Sequence, residues 1–338
     1  MNLTELNKIA TALVAPGKGI LAADESSGTI KKRFDAIGVD STEGNRRDYR
    51  EMLFRSREAM SQYISGVILY DETIWQEAKD GTPLVEQSGA IPGIKVDEGT
   101  QGLPMCPGET ITVGLDKLAE RLTKYYERGA RFAKWRAVID IAGCIPSMTA
   151  ISVNAHALAR YAALCQAAQI VPIVEPEVLM DGDHDIDRCY EVTQRVLNKT
   201  FQELRVQRVA IEGMVLKPNM AISGKTCARQ ASVDEVAEKT IRLLKACVPA
   251  AVPGIAFLSG GQSDEEATAH LNAMHKLGPL PWGLTFSYGR ALQAAPQKAW
   301  SGKAENVTAG QNAFSHRARM NGLASRGEWQ SSLEKKAA

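Results

Sequence analysis

Residues 213–219, GMVLKPN, place a lysine where a buried strand is predicted to end. The apolar run MVL is typical of a central strand, and Pro218 prevents that strand from continuing past Lys217. A lysine in an apolar setting near a second cation has a lowered pKa. Its neutral amine can then attack a carbonyl carbon and form a Schiff base. The segment therefore predicts that Lys217 is a nucleophile.

Other charged residues also follow apolar runs. Because side chains on a strand alternate with a period of two, Lys134 and Arg136 share one face of FAKWR. Glu175 and Glu177 share one face of IVPIVEPE in the same way. If both faces point inward, cations and carboxylates meet near the nucleophile, where the carboxylates can transfer protons. A buried salt-bridge network is the alternative, but buried charge without a function costs several kcal/mol per ion.

Eight short apolar runs alternate with helical patterns along the chain. The predicted strands cover residues 19–24, 64–71, 91–97, 131–139, 170–177, 213–219, 254–261 and 283–290. Strands that alternate with helices favour a parallel sheet, and eight such units close a (β/α)₈ TIM barrel. An open doubly wound sheet is the alternative. Charged residues near the carboxyl ends of most of these strands favour the barrel, whose catalytic groups lie at that rim.

The barrel accounts for the whole chain as one domain, residues 1–338, with its strands at about 19–290. Leu3, Leu6, Ile9 and Leu13 recur at helical spacing and predict an extra N-terminal helix before the barrel. A C-terminal helix and tail are expected over 305–338. The starts of four internal helices are predicted at Asp116, Ser147, Ser232 and Ser263.

Two glycine-containing loops predict a phosphate site. SGGQS at 259–263 and SYGR at 287–290 follow the last two strands, the recurrent phosphate-binding position of this barrel. Glycines let backbone N–H groups approach an anion closely, a helix start favours negative charge, and Arg290 offers a bidentate partner. Lys95 and the loop SSGTIKKR, with Ser26, Thr29 and Arg33, form a second cationic cluster. The two clusters predict a substrate with a phosphate at each end.

The charge balance excludes other classes of partner. Forty basic and 39 acidic side chains give a net charge of +1, which does not favour nucleic acid or an anionic membrane. We expect no membrane span, and six widely spaced cysteines suit reduced thiols in the cytoplasm. The five histidines include no HExxH motif, so we expect neither a metal nor a cofactor.

The motifs LAADES, GIKVD, FAKWR, IVPIVEPE, LKPN, FLSGGQS and TFSYGRALQ together resemble class I fructose-bisphosphate aldolases, from about residue 5 to 328. The resemblance implies reversible cleavage of fructose 1,6-bisphosphate in glycolysis and gluconeogenesis, with Lys217 as the Schiff-base residue and Glu175 as proton shuttle. It also implies that Asp24 handles the substrate hydroxyl proton. Near the shuttle the resemblance implies Glu177 and the charged pair Lys134 and Arg136. For the phosphate nearest the ketone it implies Ser259, Gly260, Gly261, Ser287, Gly289 and Arg290. For the phosphate sites, the far one especially, it implies Ser26, Thr29, Arg33 and Lys95.

The chain departs from the family's animal members at its C-terminus. Their tail ends in a tyrosine that helps proton exchange at the enamine, whereas the last aromatic residue here is Trp329. Enamine protonation is therefore expected to use another group. The family also implies a homotetramer. A Schiff-base barrel lyase acting on other substrates and a non-enzymatic scaffold remain the alternatives.

Overall fold

The computed structural model describes residues 1–336 and contains a closed barrel of eight parallel strands. In chain order the strands are β1 (Gly19–Ala23), β2 (Ile64–Leu69), β3 (Ile91–Lys95), β4 (Thr100–Gly102), β5 (Thr110–Thr112), β6 (Phe132–Ile139), β7 (Val171–Val178), β8 (Val215–Leu216), β9 (Gly254–Phe257) and β10 (Gly283–Tyr288). The short strands β4 and β5 form a separate antiparallel pair. The remaining eight follow one another around the barrel, and β10 pairs with β1 to close it. The predicted TIM barrel is confirmed.

Helices connect most of the barrel strands and cover the outside of the barrel. They are α1 (Leu3–Leu13), α2 (Ser27–Asp35), α3 (Glu43–Phe54), α4 (Arg57–Gln62), α5 (Asp71–Trp75), α6 (Leu118–Glu127), α7 (Met148–Ala167), α8 (Ile186–Val206), α9 (Val233–Cys247), α10 (Asp264–His275), α11 (Arg290–Trp300) and α12 (Val307–Ala324). Short 3₁₀ helices cover Leu84–Ser88, Ile211–Gly213, Ala304–Asn306 and Ser331–Lys336. The extra N-terminal helix is confirmed as α1.

The inside of the barrel follows the alternation predicted from the sequence. Phe132, Val171, Ile173 and Val215 pack in one fully buried cluster with side chains from α1. The residues that alternate with the inward-facing ones along each strand, such as Trp135 on β6, face outward into a second and larger core under the helices. The lower layers of the barrel are therefore apolar, and charged residues are left to the carboxyl ends of the strands.

Helix α1 packs against the amino end of the barrel. Its Leu6, Ala10 and Leu13 belong to the same cluster as the inward-facing strand residues. Glycines on the strands make room for this packing, because a methyl group on Gly66 would lie 2.6 Å from Leu13 Cδ2. At Gly93 it would lie 2.2 Å from the Phe132 ring. The open end of the barrel is consequently the carboxyl end.

Two details of the prediction are corrected. Most predicted strands extend past the observed ones, and β8 contains only Val215 and Leu216, so Lys217 lies just outside it. The N–H of Lys217 still donates to Val174 O at 2.8 Å, which fixes its backbone against β7. Helix α6 starts at Leu118 after Lys117, whose φ of 55° is left-handed, and not at Asp116. The caps Ser147, Ser232 and Ser263 are confirmed by hydrogen bonds to the first turns of α7, α9 and α10.

The C-terminal segment packs on α12. Trp329 Nε1 donates to Glu334 Oε1 at 3.0 Å, and Arg317 Nη1 lies 2.5 Å from Glu334 Oε2.

Among residues 1–336, no helix is long and apolar enough to cross a membrane. All six cysteines carry free thiols.

Candidate active site

A cavity of about 1150 Å³ opens at the carboxyl end of the barrel. Every residue predicted to bind substrate or take part in catalysis lines it. These are Asp24, Ser26, Thr29, Arg33, Lys95, Lys134, Arg136, Glu175, Glu177, Lys217, Ser259, Gly260, Gly261, Ser287, Gly289 and Arg290. Residues separated by more than 250 positions in the chain thus meet in one cavity because each follows or ends a barrel strand.

Lys217 is buried at the floor of this cavity, with 4% of its surface exposed. Its Nζ lies 3.2 Å from Glu175 Oε1, which comes from the neighbouring strand β7. Glu175 is also buried, so the amine and the carboxylate face each other away from bulk water. A nucleophilic amine with a carboxylate in proton-transfer range is the arrangement that imine formation requires.

Lys134 lies on the other side of the same carboxylate. Its Nζ is 3.5 Å from Glu175 Oε2 and 2.7 Å from Asp24 Oδ2. Burial alone would lower the pKa of Lys134, but Asp24 and Glu175 outweigh burial and hold that pKa above its usual value. Lys134 is therefore a cation at neutral pH, as the sequence predicts for the cationic neighbour of Lys217.

Asp24 stays ionised for the complementary reason. Burial acts to raise the pKa of Asp24, but the positive charges of Lys134 and Lys217 lower it to about 2. A carboxylate that is anionic at neutral pH can accept a proton from a substrate hydroxyl.

Arg136 and Glu177 form a second ion pair at the rim. Arg136 Nε donates to Glu177 Oε2, and the Arg136 side chain is 41% exposed to the cavity mouth. Burial would lower the pKa of Arg136, but the attraction of Glu177 raises it above its usual value. The guanidinium is available at the edge of the cavity while its partner carboxylate lies deeper.

The loops after β9 and β10, which carry the first predicted phosphate site, also line the cavity. Gly261 has a φ of +75°, which suits glycine, and the Ser287 hydroxyl is buried without a hydrogen-bond partner. Arg290 Nη2 donates to Gln262 O at 2.6 Å, which joins the two loops. Ser263 caps α10 and three acidic residues occupy its first turn, so the helix start is less favourable to anions than the sequence suggests.

The second predicted cationic cluster lies after β1 and β3. The Ser26 hydroxyl caps α2 and lies 3.1 Å from the Thr29 hydroxyl. Lys95 Nζ lies 2.7 Å from Asp97 Oδ1, and Arg33 pairs with Glu25. Both cations are therefore held by carboxylates that the sequence analysis did not assign to the site.

Comparison with known proteins is consistent with this geometry. The family model described as fructose-bisphosphate aldolase class-I matches residues 5–338. The chain belongs to that family. Members are carbon–carbon lyases, and the function is reversible aldol cleavage of fructose 1,6-bisphosphate to dihydroxyacetone phosphate and glyceraldehyde 3-phosphate through a lysine Schiff base.

Curated relatives and a solved structure agree with the family. The chain is 58% identical to the probable fructose-bisphosphate aldolase class 1 of Xanthomonas campestris, over 97% of this chain and 99% of the relative. It is 52% identical to fructose-bisphosphate aldolase B of Gallus gallus, covering 96% and 90%. The aldolase of Plasmodium falciparum, solved with TRAP and a small-molecule inhibitor, superposes with a TM-score of 0.96 at 48% identity, covering 97% and 96%.

Three residues of this aldolase-family site escaped the sequence analysis as site residues. Glu25 lies between Asp24 and Ser26 in the motif ADES, and Asp97 lies two residues after Lys95 in the motif KVD, so their position was a usable signal. Gln293 gave no such signal, because it lies in the helical pattern of α11. Its side chain reaches Glu25 Oε1 at 2.7 Å across 268 residues of sequence.

Proposed function

We propose that Lys217 carries the Schiff base of this aldolase. The observation that supports this assignment is the buried contact between Lys217 Nζ and Glu175 Oε1 at 3.2 Å, with Lys134 on the opposite oxygen of the same carboxylate. The amine attacks the substrate ketone to form a carbinolamine. Glu175, which has taken up the proton that Lys217 gives up on becoming the neutral amine, then returns that proton to the departing hydroxyl, so that water leaves and a protonated imine remains.

Asp24 acts in the cleavage step. Its carboxylate takes the proton of the substrate hydroxyl while the adjacent carbon–carbon bond breaks, and the bonding electron pair moves into the protonated imine. Glyceraldehyde 3-phosphate leaves and an enamine stays on Lys217. Protonation of the enamine carbon and hydrolysis then release dihydroxyacetone phosphate and restore the amine. The imine is the electron sink, so these steps use neither a cofactor nor a metal.

Lys134 supports both carboxylates during this sequence. It lies between Asp24 and Glu175, and its positive charge favours the ionised form of Asp24. The pair Arg136 and Glu177 places a cation at the mouth of the same cavity.

The phosphate groups are assigned to the two sides of the cavity. Ser259, Gly260, Gly261, Ser287, Gly289 and Arg290 are proposed to bind the phosphate nearest the ketone. Their support is the left-handed Gly261, the unpartnered Ser287 hydroxyl and the exposed guanidinium of Arg290. Ser26, Thr29, Arg33 and Lys95 are proposed to bind phosphate from the other side.

We further propose that residues 1–338 are one catalytic domain acting in the cytoplasm as a homo-oligomer, a tetramer by family resemblance. Its partner is the phosphorylated sugar, without nucleic acid or membrane. A coupled assay of fructose 1,6-bisphosphate cleavage tests the site assignment. We expect Lys217→Met to abolish activity, and Arg290→Met to raise KM for the bisphosphate while leaving the protein folded. Full activity in Lys217→Met, or unchanged KM in Arg290→Met, would contradict the assignment.

A further inference from the structure

Glu25 is a buried carboxylate in the lining of the cavity. It follows Asp24 at the end of β1, and 7% of its surface is exposed. Its Oε1 accepts hydrogen bonds from Arg33 Nη1 and from Gln293 Nε2, the latter at 2.7 Å. The proposed chemistry uses Asp24 and Glu175 for proton transfer and gives Glu25 no step.

Gln293 connects this carboxylate to helix α11. It lies in the first turn of α11, three residues after Arg290, and is fully buried. Its Nε2 also donates to Ala22 O at 2.7 Å, and its Oε1 accepts from Tyr49 OH at 2.9 Å. The amide orientation is thus fixed by hydrogen bonds on both sides, and Glu25 meets a donor that cannot rotate away.

Arg50 fixes the backbone of Glu25. Its guanidinium is 1% exposed, and Nη2 donates to Glu25 O at 3.1 Å. Because β1 also pairs with β10, the segment that carries Glu25 is held from the backbone and from the side chain.

Arg33 is the more exposed member of this arrangement. Its side chain is 24% exposed in the cavity, whereas that of Glu25 is 4% exposed. Arg33 Nη2 would lie 3.6 Å from a methyl group on Gly289, so the guanidinium lies over the loop that follows β10. A long side chain gains affinity for an anion when a fixed partner removes its rotational freedom beforehand.

We propose that Glu25, held by Gln293, is a positioning residue that keeps the Arg33 guanidinium in place for a substrate phosphate. This inference rests on the proposed assignment of Arg33 to phosphate binding. Glu25 does not contact the reacting carbons in this role. It acts through Arg33, whose remaining N–H groups stay free to meet phosphate oxygens in the cavity.

Steady-state kinetics of Glu25→Gln test the proposal. The amide oxygen can still accept from Gln293, but the charge that orients Arg33 is lost. We expect KM for fructose 1,6-bisphosphate to rise about tenfold while kcat stays within about twofold, because the lost contact affects binding more than the chemical step. Glu109→Gln is the matched control, since Glu109 is equally buried at 7% exposed but outside the cavity lining. Its KM should be unchanged.

A double-variant cycle shows whether Glu25 acts through Arg33. In an Arg33→Ala background, Glu25→Gln should have little further effect on KM. An equal rise in KM with and without Arg33 would overturn the proposal. So would an unchanged KM in Glu25→Gln, and so would a lower KM, which would mean that Glu25 competes with phosphate for Arg33.

Two additional measurements distinguish a failure of this proposal from a folding defect in Glu25→Gln and from a failure of the Schiff-base assignment. Gln293→Met removes the fixed donor without touching the Arg33 pair, and it should raise KM in the same direction if Glu25→Gln fails to fold. Borohydride trapping of dihydroxyacetone phosphate on Lys217, at saturating ligand, should be retained in Glu25→Gln. Loss of trapping in the unmodified protein would refute the Schiff-base assignment, whereas retained trapping with unchanged KM would refute only the role of Glu25.

Discussion

The carboxylate of Glu175 lies between two lysines. Its Oε1 is 3.2 Å from Lys217 Nζ, and its Oε2 is 3.5 Å from Lys134 Nζ. One lysine is the proposed nucleophile, and the other is held as a cation by Asp24 and Glu175. The same carboxylate is therefore within proton-transfer range of the carbinolamine that forms on Lys217, with the positive charge of Lys134 beside its other oxygen.

This arrangement predicts a difference between the two neighbouring glutamates. Glu175→Gln should lower kcat by about 10²- to 10⁴-fold, the usual contribution of a positioned acid–base group. Glu177→Gln should lower kcat less, because Glu177 pairs with Arg136 at the rim. Both kcat values can be measured in the same coupled assay, with circular dichroism to check folding. A larger loss in Glu177→Gln would show that the proton-transfer role belongs to Glu177.

The ion pair of Asp24 predicts a pH-dependent contribution to stability. The pKa of Asp24 is lowered from 3.8 to about 2, so the folded state binds this proton more weakly than the unfolded state. The contribution, of the order of 2 kcal/mol, is present above about pH 4 and is lost as pH falls towards 2. Urea unfolding should show Asp24→Asn to be less stable than the unmodified protein at pH 7, with a difference that narrows below pH 4. The exposed Asp35→Asn is the control, and a difference independent of pH would contradict the prediction.

His270 predicts a second and separate pH effect. It is buried with Nδ1 2.7 Å from Gln262 Oε1, and burial lowers its pKa to about 4. Because the unfolded chain binds this proton more tightly, stability is complete above about pH 6.5 and decreases as pH falls to about 4. We expect His270 to account for a loss of the order of 3 kcal/mol across that range.

Replacement of the histidine checks this effect. His270→Gln should flatten the pH dependence of the free energy of unfolding between pH 6.5 and 4, measured with urea. His156→Gln, at a histidine whose side chain is 48% exposed, should leave that dependence as it is. An unchanged slope in His270→Gln would assign the acid sensitivity to other groups.

The close packing inside the barrel predicts that one added methyl group lowers the free energy of unfolding. In Gly93→Ala the added carbon would lie 2.2 Å from the Phe132 ring, which is fully buried and cannot move aside easily. We expect a loss of about 1–3 kcal/mol in the free energy of unfolding, the usual cost of overpacking. Gly44→Ala in α3 is the control, because the added methyl group would lie 4.0 Å from Thr42 Oγ1 and alanine favours a helix. It should be neutral or stabilising, and equal effects at both sites would contradict the packing account.

The sequence predicts the barrel and the charged residues at its rim because both depend on local patterns. Apolar alternation identifies the inward face that carries Lys134, and Pro218 predicts that the strand does not continue past Lys217. The same patterns do not identify the residue at which each strand ends, because apolar and polar residues continue to alternate into the loops. That is why Lys217 was expected inside a strand that ends at Leu216.

The residues that hold the site cations in place were not predicted, because they depend on contacts distant in sequence. Gln293 is one amide in an ordinary amphipathic helix, and only the closed barrel brings it to Glu25. Asp97 lies two residues after Lys95 in sequence, but its ion pair depends on how the chain turns after β3. Side-chain partners of this kind require the fold before they can be identified.

The central assignment is that Lys217 forms the covalent intermediate. The most direct test is borohydride reduction in the presence of dihydroxyacetone phosphate, followed by peptide mass spectrometry, with and without a metal chelator. We expect a reduced adduct on Lys217 that is equally abundant with chelator and absent in Lys217→Met. No adduct, an adduct on another lysine such as Lys134, or activity abolished by chelator would contradict the assignment.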